Sequence, residues 1–239
     1  MESKNRIIPG VLVLFFNIFF YYYSFDQLFV SCLFLFMIYD FTYSKIISLK
    51  TSIFIIFLLI FSFILFNYFH NIHQFILIIP FLIFLFCFFI SKKYINYNFI
   101  FLNIINLFLL YEILLIDKSI LFLIIFLSFI NDTSAFLAGK TIKGPLITPY
   151  ISPNKTWSGT IFSFLISFSL LVYFQFNILI SILISLSFFL GDLFFSYFKR
   201  LNSIKDFSNL LQGHGGFLDR FDSVFYAIPL TFIYISFLS

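Results

Sequence analysis

The sequence predicts an all-α integral membrane protein of about nine transmembrane helices, with its N-terminus in the cytoplasm and its C-terminus outside. Three observations carry this. Of the 239 residues, 62% are apolar and only 10% charged, and the mean hydropathy is +1.09. The apolar residues fall in runs of span length separated by short polar breaks. All but one of the 14 Lys and Arg residues lie in alternate breaks. A soluble domain carries about 25% charged residues, so the composition excludes an ordinary soluble enzyme, a disordered tail and a nucleic-acid-binding module. At about 20 residues per span, the length holds roughly ten helices and no second, soluble domain.

Taken in order, the candidate spans are 7–23, 27–43, 52–69, 74–91, 99–116, 119–138, 157–175, 178–196 and 221–238. Lys4 and Arg6 precede the first, Lys45 and Lys50 follow the second, and Lys92 and Lys93 follow the fourth. Lys140, Lys143 and Lys155 follow the sixth, and Lys199, Arg200, Lys205 and Arg220 follow the eighth. Only Lys118 falls on the opposite face, which is the positive-inside pattern. Parsing the runs as eight or ten spans scrambles this alternation. The chain 1–239 thus reads as a single polytopic domain, with N-terminal helices in 1–118 and, in 119–239, the helices and cytoplasmic loops where chemistry is expected. Cys32 and Cys87 sit in apolar runs and read as small core residues. No cleavable signal peptide is expected, because the first run lacks a small-residue cleavage site.

Two cytoplasmic connections stand apart, about 139–156 and 197–220. Seven of the 8 glycines lie between Gly139 and Gly216, and three of the 6 prolines (Pro145, Pro149, Pro153) are in the first connection. In the second, Asp219 and Asp222 share a helix face at the start of the last span. Two carboxylates this close invite a cation, and oxygen ligands beside phosphate suit Mg²⁺. Arg220 between them suits an interfacial anchor or a phosphate fork. Gly213, His214, Gly215 and Gly216 form a turn whose N–H groups can approach phosphate. Lys199, Arg200 and Lys205 form a basic cluster that the positive-inside rule alone would also place there, but that rule does not explain Asp206. Asp192 and Asp132 are carboxylates within apolar runs, which by default mark functional positions. Asp40 and Glu112, near span ends, can snorkel.

In the first connection, Gly139-Lys140-Thr141 lacks the upstream glycine and the strand of a phosphate loop, since Ser134 stands where that glycine is needed. The stretch Ser152-Pro153-Asn154-Lys155-Thr156-Trp157 offers a rigid turn, a cation and a hydroxyl for phosphate, and an interfacial aromatic. His70 and His73 have no third ligand in view and read as polar-loop histidines.

These residues together resemble the signature of the phosphatidate cytidylyltransferase, or CDP-diacylglycerol synthase, family. That signature has Ser-x-x-Lys-Arg, then Lys-Asp, then His-Gly-Gly-x-x-Asp-Arg-x-Asp. It is matched here at Ser196, Lys199, Arg200, Lys205, Asp206, His214, Gly215, Gly216, Asp219, Arg220 and Asp222, with every spacing kept. Two earlier stretches are also similar: Asp132, Ala135, Phe136 and Gly139, and then Ser152, Pro153, Lys155, Thr156, Trp157 and Gly159. The C-terminal half carries the likeness, while the N-terminal half is alike only as a set of spans. Asn154, Ser158 and Gln212 depart from the residues common in the family, which are Lys, Glu and Pro.

The resemblance implies that CTP and phosphatidic acid give CDP-diacylglycerol and pyrophosphate in phospholipid biosynthesis. It implies Mg²⁺ on Asp219 and Asp222, with room for a second cation. Catalytic roles fall to Asp192, Lys199, Arg200, Lys205, Asp206, His214 and Arg220, and substrate binding to Asp132, Ser152, Lys155, Thr156, Ser196, Gly215 and Gly216. The expected partners are the two substrates and the lipid bilayer, with a homodimer allowed and no nucleic acid; the expected location is a bacterial inner membrane. Two alternatives stand beside this reading. A CTP-dependent polyprenol or phytol kinase would transfer the γ-phosphoryl group, and a transporter would use Asp132 and Asp192 as ion-path residues.

Overall fold

The computed structural model describes residues 19–23, 26–46, 95–210 and 215–237. Within them the chain is mostly helical: α1 (Asp26–Tyr43), α2 (Ile95–Ile116), α3 (Lys118–Thr141), α4 (Trp157–Tyr173), α5 (Ile178–Leu201) and α6 (Leu218–Phe237). Three helices are long and apolar enough to cross a membrane, at 98–116, 118–141 and 178–201, and two shorter apolar ones lie at 28–43 and 157–173. Six expected spans therefore have a helix within a few residues of their bounds. The spans at 52–69 and 74–91 and most of 7–23 lie outside the described residues, as do His70, His73 and Cys87.

Side-chain caps set several boundaries. Asp117 accepts the N–H groups of Ser119 and Ile120 at 2.8 and 3.3 Å to start α3. Asn177 accepts the Leu179 N–H at 2.9 Å to start α5, and Thr156 accepts the Gly159 N–H at 3.2 Å to start α4. Each satisfies N–H groups that a first helical turn leaves without internal partners.

The mostly helical character agrees with the all-α expectation, and one short hairpin is added to it. The first connection folds into an antiparallel hairpin, β1 (Leu146–Thr148) and β2 (Ser152–Thr156), with Leu146 opposite Thr156 and Thr148 opposite Ser152. The turn expected at Pro153 lies earlier: Pro149 opens the turn at 149–151, and Pro153 is within β2. Before it, α3 continues through Gly139 to Thr141. After the eighth expected span, α5 runs on to Leu201 and carries Lys199 and Arg200 in its last turn, where cations complement the helix dipole. The second connection is accordingly shorter than expected.

Helix α6 lies at the centre, against α5, α2, α3 and α1, while α4 packs on α3 and α5. One apolar core gathers residues of α1, α2, α5 and α6, including Phe29, Phe41, Phe99, Phe198 and Phe225. A second joins Ile124 and Leu127 of α3 to Ile180, Ile184 and Phe188 of α5. Phe99 of α2 stacks on Phe198 of α5 at a centroid distance of 3.6 Å and an angle of 10°, and Phe207 lies parallel to Phe99 at 5.8 Å. Ring stacking thus carries the α2–α5 packing into the loop that follows α5.

The α5–α6 crossing depends on Gly191. A Cβ there would fall 2.6 Å from the Asp222 carbonyl oxygen and 2.9 Å from the Tyr226 Cβ. Gly191→Leu is therefore expected to force the helices apart and cost about 1–3 kcal/mol. Thermal unfolding in detergent checks this, and an unchanged midpoint would show that the crossing has slack.

Candidate active site

The site is assembled from four pieces of chain: the end of α3, the β2–α4 junction, the middle of α5 and the first turn of α6. Together they wall a cavity of about 310 Å³. Asp132 and Asn131 come from α3, Ser152, Lys155, Thr156 and Thr160 from β2 and α4, Asp192 from α5, and Asp219, Arg220 and Asp222 from α6. Eight residues expected from sequence thus meet in one place, although they lie as much as 90 positions apart in the chain (132 to 222). Asn131, Thr160 and Ser163 also line the cavity. Their signal was present as small polar residues spaced along one face of α4 after Thr156, and as an Asn beside Asp132.

The cavity wall is held by two ion pairs. Lys155 Nζ lies 2.6 Å from Asp192 Oδ2, joining the hairpin to α5. Lys199 Nζ donates to Asp219 Oδ1 at 2.6 Å, joining the end of α5 to the start of α6. The second is the more enclosed, with the two side chains only 11% and 6% exposed. Asp219 Oδ2 accepts two further bonds, from the Phe207 N–H at 2.9 Å and the Gly216 N–H at 2.8 Å. Gly215 beside it adopts φ +78°, and a Cβ at that position would meet Asp219 Oδ2 at 2.6 Å. Only glycine meets both demands without strain.

Other expected residues have different surroundings. Arg200 donates from Nε to the Ile151 carbonyl at 3.1 Å and from Nη1 to the Ile204 carbonyl at 3.3 Å, so it braces the hairpin against the end of α5. Lys205 and Asp206 are exposed on the loop, and Ser196 is buried in α5; none of the three lines the cavity. Gly215 and Gly216 are buried beneath the start of α6. His214 and Gln212 lie outside the described residues. The departing residue Ser158 donates to the Lys143 carbonyl and so closes the base of the hairpin.

Asp40 and Glu112 depart from the expectation that they snorkel. Both are buried, Asp40 completely. Asp40 accepts from Ser208 Oγ and from the Leu218 N–H, so a carboxylate on α1 holds the loop that leads into α6. Proximity to a span end in sequence concealed this, since the partner lies 168 residues away.

The oxygen donors of the cavity bear on a divalent cation. Asp132, Asp192 and Asp222 face one cavity and are close enough to repel one another. Among the described residues there is no cluster of three or more His, Cys, Asp or Glu side chains that would make a metal cage by itself. That donor set suits Mg²⁺, which keeps waters and shares its sphere between one or two carboxylates and substrate phosphates. Of the two aspartates expected as ligands, Asp219 already carries three donors on its two oxygens. Asp222 takes only the Ser223 N–H, at 2.7 Å on Oδ1, among the bonds resolved.

The model of the cytidylyltransferase family matches residues 2–238. A phosphatidate cytidylyltransferase of Rickettsia bellii (strain RML369-C) is 43% identical over 117 residues, which is 42% of this chain and 51% of the relative. One of Rickettsia conorii (strain ATCC VR-613 / Malish 7) is 40% identical over 118 residues, 43% of this chain and 51% of that one. One of Staphylococcus aureus (strain COL) is 42% identical over 112 residues, 43% of each chain. The chain spans about half the length of the curated relatives it matches.

Lys155→Met is expected to leave Asp192 unpaired at the cavity wall and to lower stability. Adding Asp192→Asn should restore part of the loss, with a coupling on the order of 1 kcal/mol for a partly exposed pair. A double-mutant cycle on detergent unfolding measures it. Strict additivity would mean that the pair does not hold the hairpin.

Proposed function

The chain belongs to the cytidylyltransferase family, and from that premise we propose that it makes CDP-diacylglycerol and pyrophosphate from CTP and phosphatidic acid. The observation that carries this reading is the single cavity that joins carboxylates, cations and hydroxyls from all three sequence motifs. A phosphatidate oxygen attacks the α-phosphorus of CTP in line, the bond to the bridging oxygen breaks, and pyrophosphate leaves. The nucleophile arrives ionised, so positioning and electrostatics supply the catalysis.

Lys155 and Arg220 hold phosphate oxygens, and Ser152, Thr156 and Thr160 orient them by hydrogen bonds. Asp222 is the carboxylate that would hold Mg²⁺ together with substrate phosphates and waters, with Asp132 and Asp192 lining the same cavity, and Asp219 fixes the geometry of α6. When bound, the cation neutralises charge on the leaving pyrophosphate. Lys199 serves by orienting Asp219, and Arg200 by bracing the hairpin. The cavity admits the lipid from the bilayer and the nucleotide from the cytoplasm. This assigns the chain nine spans, with the N-terminus inside and the C-terminus outside a bacterial inner membrane, as the alternating basic residues support.

The competing reading is γ-phosphoryl transfer to a lipid alcohol. In liposomes with Mg²⁺, label from α-phosphate-labelled CTP is expected in the lipid product. Transfer of γ-label alone would make the protein a kinase instead.

Asp222→Asn should abolish CDP-diacylglycerol formation without loss of membrane insertion. Full activity of that variant in the same liposomes would contradict its role as a metal ligand.

A further inference from the structure

Asp40 sits in the last turn of α1 among Leu33, Met37 and Phe41, all buried. Packing alone asks for an apolar residue there. A carboxylate with no exposed surface is costly in such a place unless it is well bonded. Its bonds tie the connection after α5 to the start of α6. Oδ1 accepts from Ser208 Oγ, and Oδ2 accepts the Leu218 N–H at 2.7 Å. Gly216 lies against it so closely that a Cβ would come within 2.5 Å of Oδ2. A second tie runs in parallel, from Asn209 Nδ2 to the Tyr43 hydroxyl at 3.1 Å. Leu218 is the first residue of α6, so a side chain from α1 supplies the N-terminal cap of the helix that bears Asp219, Arg220 and Asp222.

We infer that Asp40 is a positioning residue for the transfer reaction: from α1 it clamps the Gly215–Leu218 turn to the start of α6 and so sets where Asp219, Arg220 and Asp222 face the cavity. The inference rests on the reading of the site as a cytidylyl-transfer centre. Two carboxylates then share the turn, Asp219 from within α6 and Asp40 from outside it. Asparagine can make both Asp40 bonds, because the Ser208 hydroxyl can turn and accept from the amide, whereas alanine can make neither.

The test uses the full-length protein in nanodiscs, with amide hydrogen exchange and α-label kinetics on the same samples. Asp40→Ala is expected to speed exchange in residues 215–218 by about tenfold or more while exchange in α3 and α5 stays within about twofold. Per folded enzyme, kcat should fall by about tenfold with KM for CTP changed by less than about threefold. Asp40→Asn should restore most of both. Unchanged exchange at 215–218 with wild-type kcat overturns the proposal. So does an equal loss of protection along all helices, which marks a merely structural residue, and so does an Asn variant as damaged as the Ala one. If Asp40→Ala does not fold, Ser208→Ala, which removes one bond only, is read for the same local exchange. A wild-type protein that makes no CDP-lipid overturns the transfer reading alone, and the exchange measurement still decides whether Asp40 holds the turn.

Discussion

Asp219 receives donors from three directions: the Lys199 ammonium at the end of α5, the Phe207 N–H in the loop and the Gly216 N–H just before α6. A buried carboxylate is tolerated only when its oxygens are so occupied, and here each donor belongs to a different part of the site. The pair therefore fixes the angle at which α6 leaves the loop. It also sets where Arg220 and Asp222 face, since they occupy the same first turn. Lys199 is further held over the Phe207 ring at 5.6 Å, so the cation is seated as well as paired. The junction and the close α5–α6 crossing at Gly191 together place the first turn of α6 against the cavity.

Much of this was legible in the sequence, and the reasons for the rest are physical. Apolar runs mark helices because a bilayer requires every backbone polar group to be bonded internally, and six such runs are helices within a few residues of expectation. The signature spacing brought Lys199, Asp219, Arg220 and Asp222 into view because a short loop between two helices keeps near neighbours close. Asp132 and Asp192 were legible as carboxylates that an apolar run does not otherwise tolerate. Asp40 was not, since its partners Ser208 and Leu218 are far away in sequence and belong to no pattern with it. Lys199 and Arg200 read as phosphate cations because the basic cluster is the same whether its charges face substrate or bind protein. Only the distances to Asp219 and to the Ile151 carbonyl separate the two roles.

The packing gives the 44 phenylalanines of the chain a use. Phe99, Phe195, Phe198 and Phe207 are fully buried; Phe99, Phe198 and Phe207 stack across α2, α5 and the following loop, and Phe195 meets Phe99 and Phe207 edge-on. A loop with one aromatic side chain inserted in a helical core has little freedom, and Phe207 is also the residue whose N–H reaches Asp219. Apolar packing and the polar junction thus hold the same segment. In the first connection the hairpin does the equivalent work, with Arg200 and Ser158 tying it at either end and Lys155 presented to Asp192.

The measurement that bears most directly on the junction is a double-mutant cycle of Lys199→Met and Asp219→Asn, scored by CDP-diacylglycerol formation per folded enzyme. If the two side chains act as one device, each single variant should lose about as much as the double, the non-additivity expected of residues that work as a unit. Losses that simply multiply would contradict the account. They would mean that Lys199 and Asp219 act separately on the substrates, and that the start of α6 is held by something else.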